Sequence, residues 1–300
     1  MTAPLDWIEL VMGMDCNCRC QTCPSGLHGG GGAMDTKEVA AWLRRGRRRG
    51  ASGVWFGGGE PTLHPGLVAA VKRARQLGYQ RVRVQTNALR LAYEAYAERL
   101  VGAGADEFSV PLLGADAAAY DAFTRREGSF DLLVQGMENL LGHGTRVEGD
   151  VLITAASAGR LTEMVERFAG LGVARFNFWL VSLHGLDAEQ QAHHLPTMQA
   201  LVPHLQQAMD RAEELGAPAT TLHTPPCVLD AAHHHRYVHA GTWRLLVVTP
   251  GGEPFMAQDS PMEGGVYLRT CEACSWRGRC LGLRADYLAA HGDSGFEPLA

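Results

Sequence analysis

The chain has 300 residues, 46% of them hydrophobic and 20% charged, with a formal net charge of −5. That length builds one large domain or a domain with an appendage, and the composition is that of a globular protein with a sizeable core. The charge excludes a general field for nucleic acid, no apolar run approaches the ~20 residues of a membrane span, and Met1-Thr2-Ala3-Pro4-Leu5-Asp6 lacks the regions of a signal peptide.

A cytoplasmic location is therefore expected, where the eight cysteines read as metal ligands rather than disulfides. The first predicted strand, 7–12, leads directly into Cys16-Asn17-Cys18-Arg19-Cys20-Gln21-Thr22-Cys23, which is four thiols in eight residues. Setting Cys18 aside leaves Cys16-x3-Cys20-x2-Cys23. Three thiolates at this spacing can hold three irons of a [4Fe–4S] cube and leave the fourth open to a ligand that is not protein. The alternative is zinc, with Cys18 as fourth ligand. Gly29 to Gly32 read as a flexible loop at the mouth of the site, because no Lys-Ser/Thr follows to make a phosphate loop.

A helix is predicted over 35–49, opened by Asp35 with Glu38 as a capping box. Its arginines Arg44, Arg45, Arg47, Arg48 and Arg49 read as a solvated face opposite Val39, Trp42 and Leu43. A second strand, 53–56, runs into Gly57-Gly58-Gly59-Glu60-Pro61. Helix 65–78 starts at Pro65, and strand 81–85 ends in Gln85-Thr86-Asn87. Further helices are expected at 92–103, 129–142 and 160–171, and further strands at 106–110, 147–153 and 175–181. Strands separated by helices of this length imply parallel pairing with right-handed crossovers, and reactive groups at the C-terminal strand ends.

Cys-x3-Cys-x2-Cys after the first strand and Gly-Gly-Glu-Pro after the second together resemble the radical S-adenosylmethionine superfamily, over roughly the first two-thirds of the chain. The resemblance implies an α/β fold, a partial (β/α)6 TIM-like barrel, with Cys16, Cys20 and Cys23 binding the cluster. S-adenosylmethionine would chelate the open iron through its methionine amino and carboxylate groups. Gly58, Gly59 and Glu60 would accept from that amino group, Thr86 and Asn87 would face the ribose, and Ser109 the carboxylate. Arg125 or Arg126 would supply a cation. One departure stands out: Thr22 occupies the place of the family's usual aromatic before the last cluster cysteine. Adenine is then expected on backbone at Val151 to Thr154.

The remaining cysteines are Cys227, Cys271, Cys274 and Cys280. Trp243–Val248 and Pro254–Ala257 flank Thr249-Pro250-Gly251-Gly252-Glu253 as a β-hairpin. A hairpin followed by Cys-x2-Cys-x5-Cys, Gly282 and Tyr287 resembles the SPASM/Twitch extension of the same superfamily. The resemblance implies an auxiliary [4Fe–4S] cluster on these four cysteines; the alternative is a structural zinc. The expected division is 1–195 barrel, 196–222 connecting helix or linker, and 223–300 cluster extension. His233, His234, His235 and His239 read as exposed loop, while His184 and His223 are candidates for substrate contact.

The implied reaction is reductive cleavage of S-adenosylmethionine to a 5′-deoxyadenosyl radical, which takes a hydrogen atom from a small-molecule or peptide substrate. The auxiliary cluster would assist oxidation or position the substrate, and an external one-electron donor such as flavodoxin or ferredoxin is required. The N-terminus shows no leader-peptide-binding module, which favours a small substrate. Two rivals belong to other classes. A two-cluster electron carrier would place four ligands at each cluster and has no use for Gly-Gly-Glu-Pro; a zinc-stabilised binding module would be colourless.

Overall fold

The computed structural model describes residues 4–23, 32–181, 186, 190, 193–260 and 265–300. Part of the Gly29–Gly32 loop and His184 lie outside the described residues. The strands are β1 Trp7–Val11, β2 Gly53–Gly57, β3 Arg81–Gln85, β4 Glu107–Leu112, β5 Arg146–Ile153, β6 Arg175–Leu180, β7 Ala219–Thr221, β8 Leu245–Val248, β9 Phe255–Met256, β10 Gly265–Val266 and β11 Leu283–Arg284. The α-helices are α1 Thr36–Arg48, α2 Leu67–Gln76, α3 Glu94–Gly102, α4 Ala117–Thr124, α5 Ser129–Gly142, α6 Leu161–Leu171, α7 Met198–Glu214 and α8 Ala285–His291.

Two compact units divide the chain. The first holds Met1–Pro111, Asp116–Glu148 and Trp243–Ala257; the second holds Leu112–Ala115, Gly149–Thr242 and Gln258–Ala300. In the first, the strand order is β5-β4-β3-β2-β1-β8-β9, with β1, β2, β3 and β4 parallel to one another. In the second it is β7-β6-β5, with β6 and β7 parallel, and β10 and β11 form a separate antiparallel pair. β5 begins in the first unit and ends in the second. The fold is therefore α/β, built on an open, mostly parallel sheet, as the alternation of segments predicts.

Strands β1 to β6 lie where the sequence expects them, with ends displaced by no more than two residues, the range over which element ends fray. Two differences have physical causes. Helix α4 was not expected, although Asp116 opens it by accepting from Ala119 N at 2.8 Å, a readable N-cap. The expected hairpin forms as β8 antiparallel to β9, but β8 also pairs in parallel with β1. Leu245–Val248 is buried along its whole length, which is how a strand covered on both faces reads.

In the first unit, Ile8, Leu10, Val54, Phe56, Val82, Val84, Phe108 and Val110 are wholly buried. The N-terminal ends of its strands are closed by charge. Arg83 bridges Glu107 and Glu148 at 3.0 Å each, Arg146 reaches Glu148 at 2.9 Å, and Arg81 binds Glu107. The Arg81 and Arg83 guanidiniums lie 4.4 and 5.2 Å from the Trp7 ring centre, a cation–π arrangement. Burial pushes the Glu107 carboxyl up, but Arg81 and Arg83 more than offset it and hold it below the usual range.

Candidate functional site

The cysteine loop after β1 is fastened on two sides within the first unit. Toward β2, Gly59 N donates to Gly13 O at 2.9 Å and Glu60 N to Asp15 O at 2.8 Å. Toward α4, Arg19 N donates to Thr124 O at 3.0 Å, Gln21 N to Phe123 O at 2.9 Å, and Gln21 Nε2 to Ala122 O at 3.0 Å. The last carbonyls of a helix have no partner within it, and here the loop supplies their donors. Arg126 adds a bond to Asn17 O at 2.7 Å. Arg125 ends α4 with φ +52°, a left-handed cap that turns the chain back toward the loop.

The glycines of the β2 turn serve this fastening. A Cβ on Gly59 would stand 2.4 Å from Asp15 O and 2.5 Å from Met14 O. A Cβ on Gly58, whose φ is +130°, would stand 2.4 Å from Gly13 O. Backbone packs on backbone here, so only glycine fits.

Cys16, Cys18, Cys20 and Cys23 are free thiols, Cys16 exposed and the others half-buried. Cys18 N donates to Cys16 Sγ at 3.4 Å. Hydrogen bonding between the two side chains draws the Cys16 thiol down to about 7, against burial, and pushes Cys18 up. Burial, then the charges of Cys23 and Cys16, push Cys20 up to about 12. The thiols thus lie within one another's fields. Among the described residues, no three His, Cys, Asp or Glu side chains are gathered to hold a single metal ion.

Glu60 is the hub beside this loop. Its side chain is 3% exposed, and Oε1 accepts from Thr62 N at 3.0 Å, Thr62 Oγ1 at 2.6 Å and Thr86 Oγ1 at 2.7 Å. Oε2 accepts from Asn87 N at 2.8 Å. Burial raises the carboxyl's pKa, opposed by the bonds from Thr62, Thr86 and Asn87. Asn87 Nδ2 continues to Asn17 Oδ1 at 2.6 Å and to Cys18 Sγ at 3.7 Å. Glu60, Thr86 and Asn87 are thereby brought together against the cysteine loop. Ser109 is buried inside β4, two residues from its start, rather than at its C-terminal end. Its carbonyl accepts from Thr86 N at 3.0 Å. Thr62, Asn17 and Gln21 were not singled out in the sequence; a threonine two residues after a turn glutamate carries no distinctive pattern.

Two buried hydroxyls nearby test whether an iron–sulfur cluster fits. Among the described residues, Thr22 Oγ1 and Tyr120 Oη have no hydrogen-bond partner. Tyr120 lies in the field of Cys18, Cys20 and Glu60. Each unpaired buried hydroxyl costs about 1–3 kcal/mol. A cluster on Cys16, Cys20 and Cys23 would bring sulfur acceptors into this region, so the donor set fits.

In the second unit, Cys227, Cys271, Cys274 and Cys280 line one recess, together with Trp276, Arg277 and Phe296. Burial, then the charges of Cys280, Cys271 and Cys274, push Cys227 up to about 12. Cysteines 44 residues apart in sequence, 227 and 271, thus share one site. His233, His234 and His235 lie on a short 3-10 helix, Ala231–Arg236, rather than in a loop; His235 is exposed as expected, and His239, beyond the helix, is half-buried. His233 is buried and bonded to Asp210 Oδ1 at 3.0 Å, and His234 bonds Leu229 O at 3.1 Å. His223 adopts φ +66° and meets the Trp179 ring edge-on at 6.4 Å.

Residues 10–155 match the Radical SAM superfamily. Two relatives named "Probable GTP 3′,8-cyclase" resemble the chain. The one from Saccharolobus solfataricus is 27% identical over 60% of this chain and 58% of its own; the one from Methanopyrus kandleri is 31% identical over 55% and 53%. The chain spans little more than half the length of these relatives. Streptococcus suis SuiB bound to S-adenosylmethionine superposes with a TM-score of 0.71 at 15% identity, covering 99% of this chain and 76% of SuiB. SuiB bound to precursor peptide SuiA gives 0.66 at 15% identity, covering 97% and 71%.

Proposed function

Because residues 10–155 match the radical SAM superfamily, we propose that the chain is an enzyme that cleaves S-adenosylmethionine reductively. The cluster and S-adenosylmethionine, when bound, supply a 5′-deoxyadenosyl radical that takes a hydrogen atom from a small-molecule or peptide substrate. The observation that carries this reading is the Cys16–Cys23 loop fastened between the Gly59–Glu60 turn and the end of α4.

The chain's own residues divide the work. Cys16, Cys20 and Cys23 hold the cluster, with Cys18 left over. Glu60 keeps one lone pair of Oε2 for an ammonium donor and holds Thr86 and Asn87 beside it. Gly58 and Gly59 bring backbone carbonyls to the same place, while Ser109 serves the carboxylate of the cofactor and Arg125 or Arg126 supplies a cation.

Cys227, Cys271, Cys274 and Cys280 hold an auxiliary [4Fe–4S] cluster in a Twitch-like extension of 223–300 that follows the 1–195 barrel and the 196–222 connection. Their shared recess supports this. A cluster closed by four thiolates exchanges electrons or holds structure, and does not bind substrate at iron. A peptide substrate has a precedent of fold in SuiB with its precursor peptide. A nucleotide has one of sequence in the relatives named GTP 3′,8-cyclase. Electrons come from a flavodoxin- or ferredoxin-like donor. Among the described residues, no helix is long and apolar enough to cross a membrane.

The test is anaerobic. Reconstituted, reduced protein mixed with S-adenosylmethionine is expected to release 5′-deoxyadenosine and methionine, slowly without substrate. Absence of both products with the first-site cluster in place would overturn the reading.

A further inference from the structure

Tyr237 links a strand of the second unit to one cysteine of the recess. Its backbone forms a parallel bridge with Thr221, the last residue of β7, and Val238 N donates to Thr221 O at 3.0 Å. Its hydroxyl accepts from Leu281 N at 3.2 Å and donates to Cys280 Sγ at 3.7 Å. The same sulfur accepts from Gly282 N at 3.3 Å. Gly282 must be glycine, because its φ is +84° and a Cβ there would stand 2.7 Å from Val266 O. Tyr267 adds a bond from its hydroxyl to Cys280 O. The turn after Cys280 is thus wound so that one sulfur receives a backbone donor and a side-chain donor.

A mere packing role does not require this arrangement. The Tyr237 hydroxyl is anchored by Leu281 N and aimed at sulfur. Accepting the Leu281 N–H also polarises the hydroxyl and strengthens its donation. Hydrogen bonds to cluster sulfurs withdraw charge and favour the reduced, more negative state.

We propose that Tyr237 is a positioning residue of the auxiliary cluster, whose hydroxyl, through Cys280 Sγ, raises that cluster's reduction potential. The proposal rests on the auxiliary-cluster reading above. It assigns electron exchange through the recess to a corner whose donors come from Tyr237 and Gly282.

The experiment uses the full chain, reconstituted anaerobically. Iron and zinc are measured first on the parent; zinc or no metal on the C-terminal cysteines sinks the auxiliary cluster itself, before any Tyr237 variant is made. Redox titration then follows, by electron paramagnetic resonance, the reduced-cluster signal that S-adenosylmethionine leaves unperturbed. Tyr237→Phe, which keeps the ring, is expected to retain the parent's iron. At the parent's midpoint, its ratio of reduced to oxidised cluster should fall roughly three- to tenfold. An unchanged midpoint with full iron overturns the proposal. Should Tyr237→Phe lose iron, site-specific 3-fluorotyrosine in place of Tyr237 decides. This stronger donor is expected to raise the midpoint, and an unchanged value overturns the proposal.

Discussion

Glu60 Oε1 accepts the hydroxyl of Thr86 at 2.7 Å across the C-terminal ends of neighbouring strands β2 and β3. This bond makes one unit of residues that the sequence presents separately. Removing the carboxylate would leave Thr62, Thr86 and Asn87 with buried donors and no acceptor. Glu60→Ala is expected to lose about 2–4 kcal/mol of stability and to weaken S-adenosylmethionine binding while first-site iron is retained. Denaturant unfolding and a binding titration check both. A double-mutant cycle with Thr86→Ala should show coupling well outside error, because the two share one hydrogen bond; additive effects would contradict the hub.

Gly59→Ala probes the fastening of the cysteine loop. Its Cβ would stand 2.4 Å from Asp15 O, and the obstruction is backbone rather than a flexible side-chain end. The loop must move, so first-site iron is expected to fall by half or more with circular dichroism unchanged. Full iron in Gly59→Ala would show that the loop assembles the cluster without this contact.

Two cysteine sets that each match a four-iron cluster predict about eight irons and eight sulfides per chain. Replacing Cys16, Cys20 and Cys23 by Ala should halve both, and Cys227→Ala should lower the other half. Cys20→Ala alone should abolish 5′-deoxyadenosine formation.

Cys18 is expected to be dispensable. Cys18→Ala should keep first-site iron, and S-adenosylmethionine should still perturb the cluster's spectrum. Loss of iron in Cys18→Ala, with Cys16→Ala tolerated, would move the ligand set to Cys18, Cys20 and Cys23.

The charge closure at the strand starts should appear in acid. Arg81 and Arg83 hold Glu107 below its ordinary value of 4.5. A carboxyl depressed by folding contributes stability above its unfolded pKa and loses it as pH falls through the folded one. Glu107→Gln should therefore destabilise most near neutral pH, and its difference from the parent should shrink below about pH 4.5. Urea midpoints across that range measure it.

The linear chain by itself determined the strands and helices of the barrel half and the cysteine spacing, because these depend on local periodicity and short-range order. Asp116 could also have revealed α4, since an N-cap acts within three residues. Other relationships came only with the tertiary structure. The pairing of β8 with β1 and the bond from Tyr237 to Cys280 join residues 43 or more apart in sequence. Glu60 reads as a cofactor acceptor in the sequence, yet folding gives it four internal donors first. A buried carboxylate must be satisfied wherever the chain can supply donors. Which donors those are depends on strands β2 and β3 lying side by side, and no run of residues around Glu60 encodes that.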